Sequence, residues 1–344
     1  MARIDLASFR EREQQGLITC REHPTGKLLI WNYTTRCQYE YAWDEVTIRA
    51  RGLITTPDGT IVASPFKKFF NLDQLRGDLP LEPFTVTEKV DGSLGILFFL
   101  DGQPRIATRG SFTSEQAIKA NAILQEKYSD FPFDPAYTYL FEIIYPAGRI
   151  VVDYGDREDL ILIAAMHTET GQELDITARS WPFPRVKQYD GITDIAQLQK
   201  IVEENAEGFV IRFASGSRVK LKFSEYLRLH RLLAQVNAQT IWELLAKNRP
   251  FDDLLERVPD EFYSWVNSTR DGLLDQYRVV EETSRQIYEQ VKDLPTRKEQ
   301  AAIARQSPHS ALVFRMLDGR EYAELIWRQL RPQAARPFRV DIDA

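Results

Sequence analysis

The stretch Thr87-Glu88-Lys89-Val90-Asp91-Gly92-Ser93-Leu94-Gly95 sets a lysine among apolar strand residues and follows it with Asp-Gly-Ser. An amine is thereby presented at the end of a strand, just before a tight turn. Lysine attacks an electrophile only as the free amine, a form that burial or nearby cations favour. Taken alone, Lys-x-Asp-Gly is equally the pattern of an exposed lysine beside a hairpin turn. The remainder of the chain decides between these two readings.

Downstream, Glu142 lies inside the apolar run Leu140-Phe141-Glu142-Ile143-Ile144. A carboxylate within such a strand is costly unless it is paired, hydrogen-bonded or turned toward a ligand. Glu207 opens a further strand, Glu207-Gly208-Phe209-Val210-Ile211, and Lys220-Leu221-Lys222 places two amines on one face of the next. One candidate nucleophile, two strand acids and a same-face lysine pair are the ingredients of nucleotidyl transfer. In that chemistry an amine attacks an α-phosphate, cations stabilise its charge, and acids position a metal and the ribose.

Around these residues the chain has two textures, changing near residues 223–235. Up to that point short β-rich runs predominate, at Lys27–Tyr33, Val46–Arg51, Thr60–Ser64, Leu94–Leu100, Arg105–Arg109, Tyr137–Tyr145, Leu160–Ala165, Gly208–Phe213 and Arg218–Phe223. Pro57-Asp-Gly, Asp101-Gly and Ser215-Gly-Ser supply hairpin turns, which implies antiparallel pairing. Helices are expected around Ser114–Tyr128 and Asp194–Glu204. From about Tyr226 the period becomes helical, with Phe262, Val266, Leu273, Tyr277, Val280, Ile287 and Val291 on one stripe. Pro295 closes that long helix, and Thr296-Arg-Lys-Glu299 reads as a capping box for the next. Shorter helices follow around Ser310–Leu317 and Arg320–Leu330, then a loose tail from Pro337. The expected organisation is an α+β domain over residues 1–235 and an all-helical domain over 236–344.

The 344 residues, 43% apolar and 27% charged, suffice for two packed domains. No run approaches the ~20 apolar residues of a membrane span, and the first residues lack an apolar leader core. Cys20 and Cys37 are too few for a disulfide framework or zinc site and read as free thiols in a reducing cytoplasm. The net charge of −6 excludes a protein that is basic overall, though not one with a basic groove. Between Glu207 and Leu232, Arg212, Arg218, Lys220, Lys222, Arg228 and Arg231 oppose only Glu207 and Glu225, and His230 adds charge when protonated.

These residues resemble, in order and over roughly residues 28–232, the covalent nucleotidyltransferases, which comprise polynucleotide ligases and RNA-capping enzymes. More narrowly the chain is similar to the phage RNA ligase 1 branch of ATP-dependent RNA ligases. Lys89-Val-Asp-Gly-Ser matches the motif whose lysine becomes bound to AMP, with Glu88 and Gly92 flanking it. Arg51-Gly52-Leu53-Ile54 and Lys68-Phe69-Phe70-Asn71 resemble elements whose Arg and Lys meet ATP phosphates and the RNA end, Phe70 packing in the nucleotide site. Arg109-Gly110-Ser111-Phe112-Thr113-Ser114-Glu115-Gln116-Ala117 resembles a segment that usually begins with lysine; here arginine keeps the charge and changes the geometry. Glu142 with Pro146-Ala-Gly-Arg149, Glu207-Gly208, and Lys220-Leu221-Lys222 resemble the third, fourth and fifth motifs of the superfamily.

The resemblance implies an antiparallel-sheet nucleotidyltransferase domain of ATP-grasp-like ligase type. It implies an ATP-dependent RNA ligase that joins 5′-phosphate and 3′-hydroxyl RNA ends through lysyl-AMP and RNA-adenylate, in repair of RNA such as tRNA. Lys89 would be catalytic. Arg51, Lys68, Phe70, Glu88, Gly92, Arg109, Glu142, Glu207, Lys220 and Lys222 would bind ATP or AMP. Mg²⁺, or Mn²⁺ in its place, would be held by Glu142 and Glu207 through water. RNA would be the partner of a monomeric, cytoplasmic enzyme, with the helical domain as an RNA-specificity module. The alternatives are a DNA ligase or RNA guanylyltransferase of the same superfamily, which usually carry a β-barrel where this chain turns helical, and a non-catalytic RNA-binding adaptor.

Overall fold

A computed structural model describes residues 2–75, 79–201, 203–224, 226, 227, 237–255 and 263–332. The chain divides into two compact units, Met1–His230 and Arg231–Ala344. In chain order the first holds β1 (Ile18–Glu22), β2 (Leu29–Tyr33), β3 (Arg51–Thr55), β4 (Ile61–Ala63), β5 (Phe70–Asn71), β6 (Phe84–Glu88) and β7 (Ser93–Leu100). It continues with β8 (Gln103–Thr108), β9 (Tyr137–Ile144), β10 (Asp159–His167), β11 (Glu173–Leu174), β12 (Gln188–Tyr189), β13 (Gly208–Phe213) and β14 (Arg218–Lys222).

The strands make a four-stranded sheet, β1-β2-β3-β4, and two five-stranded sheets, β11-β10-β9-β7-β8 and β12-β6-β13-β14-β5. Hairpins close at the turns expected from Pro57-Asp-Gly, Asp101-Gly and Ser215-Gly-Ser, joining β3 to β4, β7 to β8 and β13 to β14. The β5–β14 pair departs from the antiparallel rule: it is parallel, and it sets Asn71 beside Lys220. The first and second sheets share a core of Ile30, Ile54, Ile96, Phe98, Leu140 and Ala164. The helix Glu115–Lys127, capped by Ser114, covers the other face of the second sheet through Ala120, Ile123 and Leu124. Phe209, Ile211, Phe213 and Val219 bury the inner face of the third sheet against Val151, Val152 and Leu198.

Val46–Arg51 does not form the expected strand. Asp44 accepts hydrogen bonds from the Val46 and Thr47 backbone, and the Thr47 hydroxyl in turn accepts one from the Asp44 N–H. This reciprocal cap makes Glu45–Arg49 a helix despite its β-branched residues, and β3 starts only at Arg51. The helix expected over Asp194–Glu204 shortens to Ile195–Leu198, a single turn capped by Asp194.

In the second unit the long helix Tyr263–Val291 carries the heptad-like stripe. Val280 packs with Leu312 and Ile326, and Val291 with Ala304 and Val313, so the stripe is the core of a local bundle. Thr296 caps Arg297–Ala304 by accepting from the Glu299 N–H. Trp242, on the helix Ala238–Ala246, donates its indole N–H to the Trp327 carbonyl at 2.7 Å, which ties that helix into the bundle. Phe262 and the tail from Pro337 lie outside the described residues. No helix among the described residues is long and apolar enough to cross a membrane.

Candidate active site

The third sheet delivers the nucleophile candidate to its acid. Antiparallel pairing of β6 with β13 sets Glu88 opposite Phe209, and the Lys89 N–H continues the ladder to the Gly208 carbonyl at 2.8 Å. Lys89 Nζ then lies 2.7 Å from Glu207 Oε2. On the other side, pairing of Gly208 with Lys222 brings Lys222 Nζ to 3.1 Å from Glu207 Oε1. Gly208 permits this: its φ is +147°, and a Cβ there would stand 2.0 Å from the Leu221 carbonyl oxygen. Burial works to raise the Glu207 carboxyl, which is only 4% exposed, but the charges of Lys89 and Lys222 and their hydrogen bonds hold it below its ordinary range.

Asp91, two residues beyond Lys89, is buried and serves as an anchor. Its Oδ2 accepts from the Val151 and Val152 backbone, both at 2.8 Å, and its Oδ1 from the Tyr226 hydroxyl at 2.8 Å. The Asp91 N–H donates to the Tyr154 hydroxyl at 2.9 Å. Gly92 lets the turn close onto β9, since a Cβ there would meet the Ile143 carbonyl oxygen at 2.6 Å and Glu142 Cγ at 3.1 Å. That close approach brings Glu142 alongside the Lys89 turn. Burial pushes the Glu142 carboxyl up to about 7; Lys89 and Arg51 pull it down, and Glu207 and Asp91 add to the rise.

Arg51, Lys68, Phe70 and Arg109 converge on a second wall. Lys68 is 8% exposed, and its ammonium stands 5.3 Å from the Phe70 ring centre, 5.5 Å from Trp43 and 5.6 Å from Tyr33. Phe70 stacks on Tyr41 at 5.6 Å. Arg109 Nη1 donates to the Tyr33 hydroxyl at 2.7 Å. The Arg51 guanidinium lies 5.4 Å above Phe69, and burial lowers its proton affinity. Lys220 projects from β14 beside β5, which carries Phe70. Glu88 accepts from the Lys187 N–H at 2.9 Å.

The charge count over residues 207–232 needs correction. Arg212 and Arg218 both pair with Glu173, and Arg218 lies 4.0 Å above the Phe66 ring. Their charge is spent inside the fold. Glu225, Arg228, His230 and Arg231 lie outside the described residues. Tyr33, Tyr41, Trp43, Tyr154 and Tyr226 are site-wall residues that motif spacing did not single out. The aromatic density of Tyr39-Glu-Tyr-Ala-Trp43 was the available signal.

Among the described residues no cluster of three His, Cys, Asp or Glu forms a metal cage. The donor set instead suits a largely hydrated cation. Glu142 receives no hydrogen bond from a described residue, whereas both Glu207 oxygens face ammonium groups.

Residues 49–227 match the RNA ligase family model, a span that includes every candidate site residue from Arg51 to Lys222. The chain belongs to the RNA ligase family. Within that family it is 27% identical over 277 residues to a Thermovibrio ammonificans protein provisionally named an RNA ligase, covering 71% of this chain and 70% of that protein. It is 24% identical over 273 residues to a longer protein of Autographa californica nuclear polyhedrosis virus, named for polynucleotide kinase and RNA ligase activities. That match covers 70% of this chain and spans only 39% of the viral protein. Among solved structures, an archaeal ATP-dependent RNA ligase aligns with 94% of this RNA ligase family member and 78% of its own chain, at 15% identity and a TM-score of 0.46.

Proposed function

We propose that this protein is an ATP-dependent RNA ligase that joins 5′-phosphate to 3′-hydroxyl RNA ends. The observation that carries the reading is the Lys89–Glu207–Lys222 arrangement, one amine at a strand end and a second amine across a shared buried carboxylate. After Lys89 gives up its proton, its Nζ forms a bond to the α-phosphorus of ATP while the bond to pyrophosphate breaks. Lys222 and Lys220 stabilise charge on the α-phosphate. The AMP group then passes to the RNA 5′-phosphate and regenerates the lysine. A 3′-hydroxyl finally attacks that 5′-phosphate, and AMP leaves.

Glu207 holds the Lys89 ammonium in place before reaction, and Asp91 fixes the turn that carries it. Glu142, with Glu207 behind it, would hold Mg²⁺ or Mn²⁺ through water. A cation bound there supplies charge neutralisation for the phosphates. Repair of broken structured RNA, such as tRNA, is the task that fits the end chemistry, and the helical unit is the surface through which an RNA would be chosen.

Incubation with α-labelled ATP and Mg²⁺ tests the reading. Label should remain on the denatured protein, vanish in Lys89→Ala, and not arise from GTP. Lys89→Ala should still seal RNA that already bears a 5′-adenylate, because that substrate bypasses the lysine. Labelling from GTP would indicate a capping enzyme, sealing of DNA ends alone a DNA ligase, and absence of any label a binding protein.

A further inference from the structure

Asn205 stands two residues before Glu207 and belongs to none of the motifs. Its side-chain amide makes a reciprocal pair with the backbone of Asp153. Oδ1 accepts from the Asp153 N–H at 2.7 Å, and Nδ2 donates to the Asp153 carbonyl at 2.8 Å. An amide alone among short side chains carries the donor and the acceptor side by side that both bonds require. The Asp153 carboxylate is engaged elsewhere, by the Gly155 N–H at 2.9 Å and Arg149 Nη1 at 2.7 Å. The Asn205 backbone is left-handed, with φ +54°, a conformation asparagine tolerates better than most residues and that persists where its surroundings fix it.

Asp153 sits among the residues that hold Asp91. The Val151 and Val152 N–H groups donate to Asp91 Oδ2, and the Asp91 N–H donates to the Tyr154 hydroxyl. Asp91 follows Lys89 by two residues, and Lys89 Nζ reaches Glu207 Oε2 at 2.7 Å. These bonds close a circuit from Lys89 through Asp91, residues 151–154, Asn205 and Glu207 back to Lys89. Pairing of β6 with β13 fixes the two strands. The circuit adds the placement of the turn after Lys89 relative to the segment that carries Glu207. Its Asn205–Asp153 link is exposed, whereas the others are buried or half-buried. Cutting that link therefore strands no buried polar group.

We propose that Asn205 is a positioning residue, which locks the Asp91 clamp to the Glu207 segment and so holds the Lys89 amine on its carboxylate. This role rests on the ligase reading and deepens it, because it assigns what keeps the reacting amine in line. A misplacement of roughly 1 Å costs a positioned reaction as much as 100-fold, so modest loosening of the circuit is enough to slow attack.

The test is Asn205→Gly, which keeps the left-handed backbone without strain and removes the amide. Single-turnover formation of lysyl-AMP from ATP should slow about tenfold, the scale of two lost hydrogen bonds, at full amplitude. Sealing of RNA that already bears a 5′-adenylate, which bypasses Lys89, should lose less. Lower amplitude at an unchanged rate constant would make Asn205 merely structural, and an equal loss in both reactions would mean a general disturbance of the site; either overturns the proposal, as does a wild-type rate. A second measurement needs no ligase activity. Acetylation of Lys89 by N-hydroxysuccinimidyl acetate, read by mass spectrometry against the exposed Lys298, should run several-fold faster in Asn205→Gly because the amine is freed from Glu207. Unchanged Lys89 reactivity overturns the proposal whichever activity falls. If wild type takes no label from ATP, the ligase reading falls by itself, and the acetylation rates alone then uphold or refute the circuit.

Discussion

The Tyr226 hydroxyl donates to Asp91 Oδ1 at 2.8 Å across 135 residues of sequence, while the Lys222 ammonium lies 5.2 Å from the Tyr226 ring. Tyr226 thus joins the turn after the nucleophile to the strand that carries the second amine. Tyr226→Phe would leave Asp91 with its two backbone donors and one buried oxygen unsatisfied. The expected loss is about 1–3 kcal/mol of stability in a urea titration, with slower lysyl-AMP formation. A variant as stable and as fast as wild type would show that this bond does not anchor the turn.

Lys220 and Lys222 should separate by their effect on stability. Alanine at either should slow lysyl-AMP formation by ~100-fold, the usual scale for losing a charge-stabilising donor. Lys222→Ala also removes a hydrogen bond from the buried Glu207 and should lower the melting temperature clearly more than Lys220→Ala does. Wild-type labelling rates in both variants would place the reactive phosphate elsewhere.

Glu142 makes stability depend on pH in a defined direction. Its carboxyl titrates near 7 in the folded protein against 4.5 ordinarily, so the folded state binds that proton more tightly. Its contribution therefore favours the fold below about pH 4.5 and is lost as pH rises through 7. In chelator, Glu142→Gln should match wild type in melting temperature near pH 4 and exceed it at pH 8, where the stability difference should be about 2 kcal/mol. The same variant should form lysyl-AMP poorly with Mg²⁺. Equal melting temperatures at both pH values would show that burial does not perturb this acid.

Removing residues 231–344 should leave lysyl-AMP formation intact, because every candidate site residue precedes Arg231. The cut belongs there rather than after the first helix, since Trp242 is hydrogen-bonded to the Trp327 backbone and its helix would be stranded. Choice among linear, nicked and stem-loop RNAs should change. A folded truncation unable to take label would refute the division of labour, and one with unchanged RNA preference would refute the specificity role. Circular dichroism must accompany both assays.

Much of the candidate site was legible because the residue types it brings together stand in short local patterns. Lys-x-Asp-Gly announces an amine at a strand end, and Lys-x-Lys announces two amines on one face, whatever surrounds them. Hairpin turns and the switch to helical period likewise depend only on neighbouring residues, which is why the α+β unit and the helical unit were readable. Local signals also misled where two of them competed. Val46–Arg51 has β-branched residues, yet the side-chain cap from Asp44 turns its start into a helix.

Tertiary structure alone decided which groups meet. Arg212 and Arg218 look like groove cations in the sequence, but Glu173, from a different sheet, neutralises them. Asp91 reads in the sequence only as part of a turn, and pairing with Val151, Val152 and Tyr226 makes it a buried anchor. Tyr33 carries no motif, and its contact with Arg109 arises from the register that places β2 beside β3 and from the approach of Gly52 to Arg109. The physical reason is one of range. Residue types and spacing determine what a segment can do and which way it faces, whereas charge pairing, burial and proton affinity depend on atoms a few ångströms away that come from distant positions in the chain.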